Sequence, residues 1–112
     1  MKVKLIKQNS YQGDRLSLVK KKEYLVIGIE ADDYRIMASE NDIKPFLYDK
    51  SCFDITDNSK PHFWVCSKED GLNYCYPPEW NYPGFFEDIH DESEKALIIF
   101  KEGLKKYYGI EL

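Results

Sequence analysis

Val3 and Leu5 alternate with Lys2 and Lys4, the two-residue repeat of a strand with one wet face. Tyr11-Gln12-Gly13-Asp14 is turn-rich, and Lys20-Lys21-Lys22-Glu23 marks an exposed bend. The segment Tyr24 to Ala31 follows, β-branched and apolar with a single Gly28, and it predicts a central strand with a bulge or a close backbone approach at the glycine. Asp32-Asp33 turns the chain into Tyr34 to Ala38, Ser39 to Asp42 turns it again into Pro45 to Tyr48, and Cys52 to Ile55 is a brief closing strand. The pattern is a meander of short antiparallel strands.

Two further strands, His62 to Cys66 and Leu72 to Tyr76, flank the loop Ser67 to Gly71, whose Asp-Gly pair suits a hairpin. Pro77 to Phe86 contains three prolines, which lack the amide donor and fix φ, and is expected to be an extended aromatic-rich crossing loop. Then the period changes. Leu97, Phe100, Leu104 and Tyr107 or Tyr108 recur at three- and four-residue steps, placing them on one face of a helix over about Glu92 to Tyr108. Asp91 with Glu94 forms a capping-box-like start, Gly109 is a natural C′ residue, and Gly103 within the helix marks close packing.

The succession Met1-Lys2-Val3-Lys4, a lysine-rich bend, Tyr24-Leu25-Val26-Ile27-Gly28-Ile29-Glu30-Ala31, Asp33-Tyr34-Arg35-Ile36 and Pro45-Phe46-Leu47-Tyr48 closing on Phe53-Asp54-Ile55 resembles the small SH3-like β-barrels of bacterial and phage proteins. The resemblance covers roughly the first half of the chain and implies an SH3-like antiparallel β-barrel (1–57); with the β-hairpin and Pro/aromatic loop (60–90) and the C-terminal α-helix (91–109) read from the pattern as additions to it, an α+β single domain over 1–112 is expected. It carries no catalytic signature. Leu47-Tyr48-Asp49 echoes the ligand-binding motif of eukaryotic SH3 domains but precedes the last barrel strand, where that motif does not lie, so no proline-peptide groove is inferred.

The 112 residues suit one domain, and 43% apolar with 15% aromatic content supports a buried core, which excludes a disordered tail. No apolar run approaches the roughly 20 residues of a membrane span, and lysines interrupt the start where a signal peptide is apolar, so a cytoplasmic protein is expected. Charge is uneven. The formal total is −4, but Met1 to Glu23 holds seven Lys/Arg and two Asp/Glu, a balance of +5, leaving 9 − 18 = −9 beyond it. Glu79, Glu87, Asp88, Asp91, Glu92 and Glu94 run without an intervening Lys or Arg.

Three cysteines, Cys52, Cys66 and Cys75, are odd in number with no C-x-x-C pair, so reduced thiols in or near the core are expected. No phosphate loop, dinucleotide fingerprint, H-E-x-x-H or G-x-S-x-G occurs, so neither an enzyme nor a cofactor is called for. His62 and Cys66 are four apart, but on a strand that is about 13 Å, too far for one metal. Cys75, His90 and Asp91 have the residue types of nucleophile, base and orienter without spacing that favours the assignment over a buried thiol and a surface histidine.

Of 17 aromatics, twelve fall between Tyr34 and Phe86, more than a small barrel takes inside. Most of these rings are core, and the plainer reading of Trp80, Tyr82, Phe85 and Phe86 is that they staple the proline-rich loop to the sheet and helix; the functional reading is that, followed by Glu87 and Asp88, they form an outward aromatic and acidic surface that docks a basic protein partner, as an inhibitor or immunity-type module would. The alternative is nucleic-acid binding through Lys2, Lys4, Lys7, Lys20, Lys21 and Lys22. The plainer reading of those lysines is a set of solvent-facing strand and turn positions.

Overall fold

A computed structural model describes residues 1–38 and 44–112; the turn expected over Ser39 to Asp42 lies outside the described residues. Seven strands form one antiparallel sheet: β1 (Lys2–Leu5), β2 (Glu23–Glu30), β3 (Asp33–Ile36), β4 (Phe46–Asp49), β5 (Phe53–Asp57), β6 (Val65–Glu69) and β7 (Leu72–Tyr76). The order is β4-β3-β2-β1-β5, with β7 paired to β2 and β6 to β7. Among the described residues no pairing joins β4 to β5, so the sheet does not close and the expected SH3-like barrel is corrected to an open sheet within an α+β fold. The reason is β2. At eight residues it is long enough to pair β1 through its first half and both β3 and β7 through its second, and the extra hairpin extends the sheet instead of the barrel being completed.

Strand β2 is near-continuously apolar because it separates two cores. Tyr24, Val26 and Ile29 join Val3, Leu5, Tyr34, Ile36 and Phe53 on one side. Leu25 and Ile27 join Tyr76, Trp80, Phe85, Phe86, Phe100 and Leu104 on the other. Strict alternation would send Ile29 to the side of Ile27, so the parity must break between them. It does: the register with β3 shifts between Val26 and Gly28, and the ring of Tyr76 occupies the place a side chain at 28 would take. The expectation of a bulge or close approach at Gly28 is met by both together.

The aromatic segment departs from the sequence reading. Instead of one extended loop, Pro78–Trp80 makes a 3-10 turn and a short helix α1 (Phe85–His90) starts directly after Gly84. Proline is tolerated in a first helical turn, where its missing N–H has no partner to lose. Helix α2 (Glu94–Gly103) is capped by the Ser93 hydroxyl, which accepts from Ala96 N–H, and not by Asp91. A wide final turn over Leu104–Tyr108 ends at Gly109, whose φ of 67° is the C′ conformation expected there. Phe100, Gly103 and Leu104 of this face are buried, and a side chain at Gly103 would meet the Trp80 indole at 2.6 Å. No helix among the described residues is long and apolar enough to cross a membrane.

The cysteine expectation is also corrected: Cys66 and Cys75 form a disulfide, and Cys52 is a buried free thiol. The expected loop Ser67 to Gly71 is shorter in the structure. Asp70 and Gly71, with φ of 52° and 79°, form a two-residue turn of the type that Asp-Gly favours. That turn pairs Glu69 with Leu72, and stepping back along both strands brings Cys66 opposite Cys75.

Candidate functional site

Trp80, Phe85 and Phe86 are 1%, 0% and 5% exposed, so the expected outward patch is corrected for three of its four rings; Tyr82, at 44%, faces solvent. The buried rings form one cluster: Trp80 meets Phe100 at 4.8 Å and Phe85 at 6.4 Å, and Phe86 meets Tyr76 at 4.9 Å. The physical reason is the second core. One small barrel has too little interior for these rings, whereas the helices and the outer face of β2 and β7 provide a second interior that takes them.

Five of the six expected residues nonetheless meet at one place. A groove of about 390 Å³ is lined by Trp80, Tyr82, Phe85, Phe86 and Glu87 together with Glu30, Ser67, Glu69, Tyr74 and Tyr76. Asp88 lies on the exposed surface of α1 outside it. The buried rings back the groove, Tyr82 stands on its rim, and the hairpin β6–β7 supplies Ser67, Glu69, Tyr74 and Tyr76.

At its base is a buried polar cluster that the sequence reading did not single out. Arg35 is 6% exposed, and its guanidinium donates from Nε to the Tyr76 hydroxyl (3.0 Å), from Nη1 to the Pro45 carbonyl (3.1 Å) and from Nη2 to Glu30 Oε1 (3.0 Å). Its Cζ lies over the Phe86 ring, 4.1 Å from the centroid. The Tyr76 hydroxyl donates to Glu30 Oε1 at 2.7 Å. Burial, with Glu30 beside it, pushes the Tyr76 phenol well above its ordinary range against the opposing pull of Arg35, so it stays protonated and holds that hydrogen bond. His90 Nε2 lies 3.2 Å from the Pro45 carbonyl, a contact that suits a proton on Nε2.

Electrostatically the groove is acidic. Among the described residues three carboxylates line it and no lysine or arginine does. Arg35 balances Glu30 from beneath, which leaves Glu69 and Glu87 without an ion pair within 4 Å among the described residues. The arrangement of tyrosines and carboxylates around a cleft suits an organic cation, held by ring faces and charge together.

The Cys75, His90 and Asp91 candidate comes apart in three dimensions. Cys75 is bonded to Cys66, so neither offers a thiolate, and His90 is engaged with Pro45 and the Phe46 ring at 4.8 Å. The lysines of β1 are interleaved with acids: Lys4 sits opposite Glu23 and Asp54, and Lys2 opposite Asp57 with an ion pair to Glu23 at 3.8 Å. At Lys2 and Lys4, cross-strand carboxylates offset positive charge that phosphate binding would use.

A larger groove, about 590 Å³, lies between the loop carrying Tyr11, Asp14 and Arg15 and the strands carrying Asp33, Phe46, Tyr48 and Asp49. Glu30, Asp33 and Asp49 occupy successive register positions across β2, β3 and β4. Burial, then repulsion from Asp49, Asp32 and Glu30, raises the Asp33 carboxyl above its ordinary value. No family model matches the chain, and no curated protein or solved structure is significantly similar to it.

Proposed function

We propose that the protein is a non-catalytic binding module that docks a basic segment of a protein partner in the groove between hairpin β6–β7 and helix α1. The observation that carries this reading is the lining itself: Glu30, Glu69 and Glu87 with Tyr74, Tyr76 and Tyr82, and no lysine or arginine among them. A lysine or arginine side chain entering it meets ring faces and carboxylates, while Tyr82 contributes the exposed aromatic area typical of interface anchors. The resemblance of residues 1–57 to SH3-like barrels belongs to the same reading, with the sheet as scaffold and the added hairpin and helices as the docking face. An inhibitor of the immunity type, which blocks a basic protein by covering it, is the role such a site suits. Charge steers the encounter and the rings hold it.

The test is capture and titration. The full chain and its Glu69→Lys/Glu87→Lys/Tyr82→Ala variant are used to capture proteins from lysate, with mass spectrometry as readout, and both are titrated by NMR with a synthetic peptide of alternating lysine and glycine. The reading expects a basic protein retained by the native chain and lost by the variant, with peptide shifts concentrated at Glu69, Tyr74, Tyr82 and Glu87. Equal capture by both chains, or peptide shifts spread evenly over the surface, overturns it.

A further inference from the structure

Strand β6 carries part of the groove wall yet buries nothing: every residue from Val65 to Glu69 is exposed. Among the described residues it pairs with β7 alone, and β7 joins the sheet through only two register pairs, Ile29 with Cys75 and Glu30 with Tyr74. Buried Cys75 and Tyr76 anchor β7, so the weakly held strand of the hairpin is β6, which has no buried side chain of its own. Two features tie it down. Trp64, just before the strand, is buried and donates from Nε1 to the Tyr108 hydroxyl at 2.9 Å. Within the strand, the tether is the bond from exposed Cys66 to buried Cys75.

We propose that the Cys66–Cys75 disulfide is a reversible redox device that sets the order of β6 and, through Ser67 and Glu69, the wall of the groove. Its second clause rests on the groove reading; its first does not. The asymmetry of the pair makes the chemistry directional, because an incoming thiolate can reach Cys66 Sγ while Cys75 is covered by the sheet. The thiolate of a dithiol reductant, a small dithiol or a dithiol protein, attacks Cys66 Sγ; a reductant–Cys66 bond forms and the Cys75 sulfur leaves as thiolate and takes a proton. The reductant's second thiolate then displaces Cys66. The hairpin ends with two thiols and the reductant with one disulfide, two electrons having passed to the protein. Cys52 stays apart: it is buried, and its Sγ faces the Asn9 carbonyl at 3.5 Å. The bridge is thus opened from its exposed end at Cys66, while Cys75 keeps its place in the first core.

The experiment is hydrogen exchange on the full chain, oxidised and after treatment with dithiothreitol, with Cys66→Ala as the locked-open reference. Reduction is expected to speed exchange of the β6–β7 ladder amides on the order of 100-fold, the loop-closure effect of a bridge enclosing about ten residues, with β1, β2 and β5 unchanged. Cys66→Ala should match the reduced chain under both conditions. Equal protection in the oxidised and reduced chains overturns the proposal, as does loss of protection throughout the sheet, which would make the bond a global staple. The lysine–glycine peptide is titrated into both forms. Weaker binding after reduction supports the control of the groove and equal binding overturns that clause; binding to neither form refutes the groove reading and leaves the exchange result to decide the redox device.

Discussion

The ring of Tyr76 lies in the space that a side chain at Gly28 would fill. One contact therefore joins the bulge that reverses the parity of β2, the second core and the polar cluster under the groove. Gly28→Ala requires either the ring or the bulge to move, and the ring is held by Arg35, Glu30 and Phe86. The substitution is expected to cost about 2–3 kcal/mol by overpacking. Urea unfolding measures it; a loss below about 0.5 kcal/mol would show that the ring moves freely.

Gly103→Ala sets two effects against each other. Alanine favours the helix by about 1 kcal/mol, but its methyl would meet the Trp80 indole at 2.6–2.8 Å. The indole is confined by Phe85, Phe100 and Tyr108. Packing wins, and a net destabilisation of about 1–2 kcal/mol is expected, read as a lower melting temperature; a rise would reverse the order of the two effects.

Arg35→Met removes the cation from beneath Glu30 and leaves the Tyr76 hydroxyl without its donor. Breaking one side of a fully buried pair costs about 3–5 kcal/mol; with the Glu30 side chain 30% exposed, about 2 kcal/mol is expected here. Adding Glu30→Leu should recover part of that loss, because the remaining charge is removed with its partner. A double-mutant cycle by denaturant unfolding measures the coupling, and strict additivity would mean that the two residues do not act as a pair.

Asp33→Asn is expected to stabilise the fold. The Asp33 carboxyl is raised by burial and by Asp49, Asp32 and Glu30, so its ionised form is the one the folded state disfavours. That cost is fully present above its folded pKa and disappears as the pH falls below its unfolded value. The variant should therefore gain on the order of 0.5 kcal/mol at pH 7, as for like charges relieved across strands. The gain should vanish in acid. Over the same range the native chain loses the contributions of Asp57, held low by the Ser59 N–H, and Glu92, held low by Lys44. Melting curves from pH 7 to pH 3 give both trends, and a variant gain that persists at pH 3 would contradict the assignment.

The strands were largely legible because β-structure writes itself locally: Val3 and Leu5 against Lys2 and Lys4, the apolar run of β2, and Leu72 to Tyr76 all lie in strands of the structure. Gly28 and Gly103 were readable as points of close approach, since a glycine inside a regular element has few other reasons to be there. The groove was half legible. Tyr82 and Glu87 could be named from composition, but Glu30, Glu69 and Tyr74 reach it from strands whose pairing is not local. One signal was available for the hairpin: taken as a two-residue turn, Asp70-Gly71 places Cys66 opposite Cys75 by counting alone.

What the sequence determined by itself is the set of pieces: antiparallel strands, a hairpin, a capped C-terminal helix, and a surplus of rings and acids in the second half. Tertiary structure decided where the rings went. Burial depends on how many layers enclose a residue, and the second layer arises only when α1 and α2 close over the outer face of β2 and β7, taking Trp80, Phe85 and Phe86 inside and leaving Tyr82 at the rim. Register, likewise a long-range property, joined the two cysteines and brought scattered carboxylates to one groove.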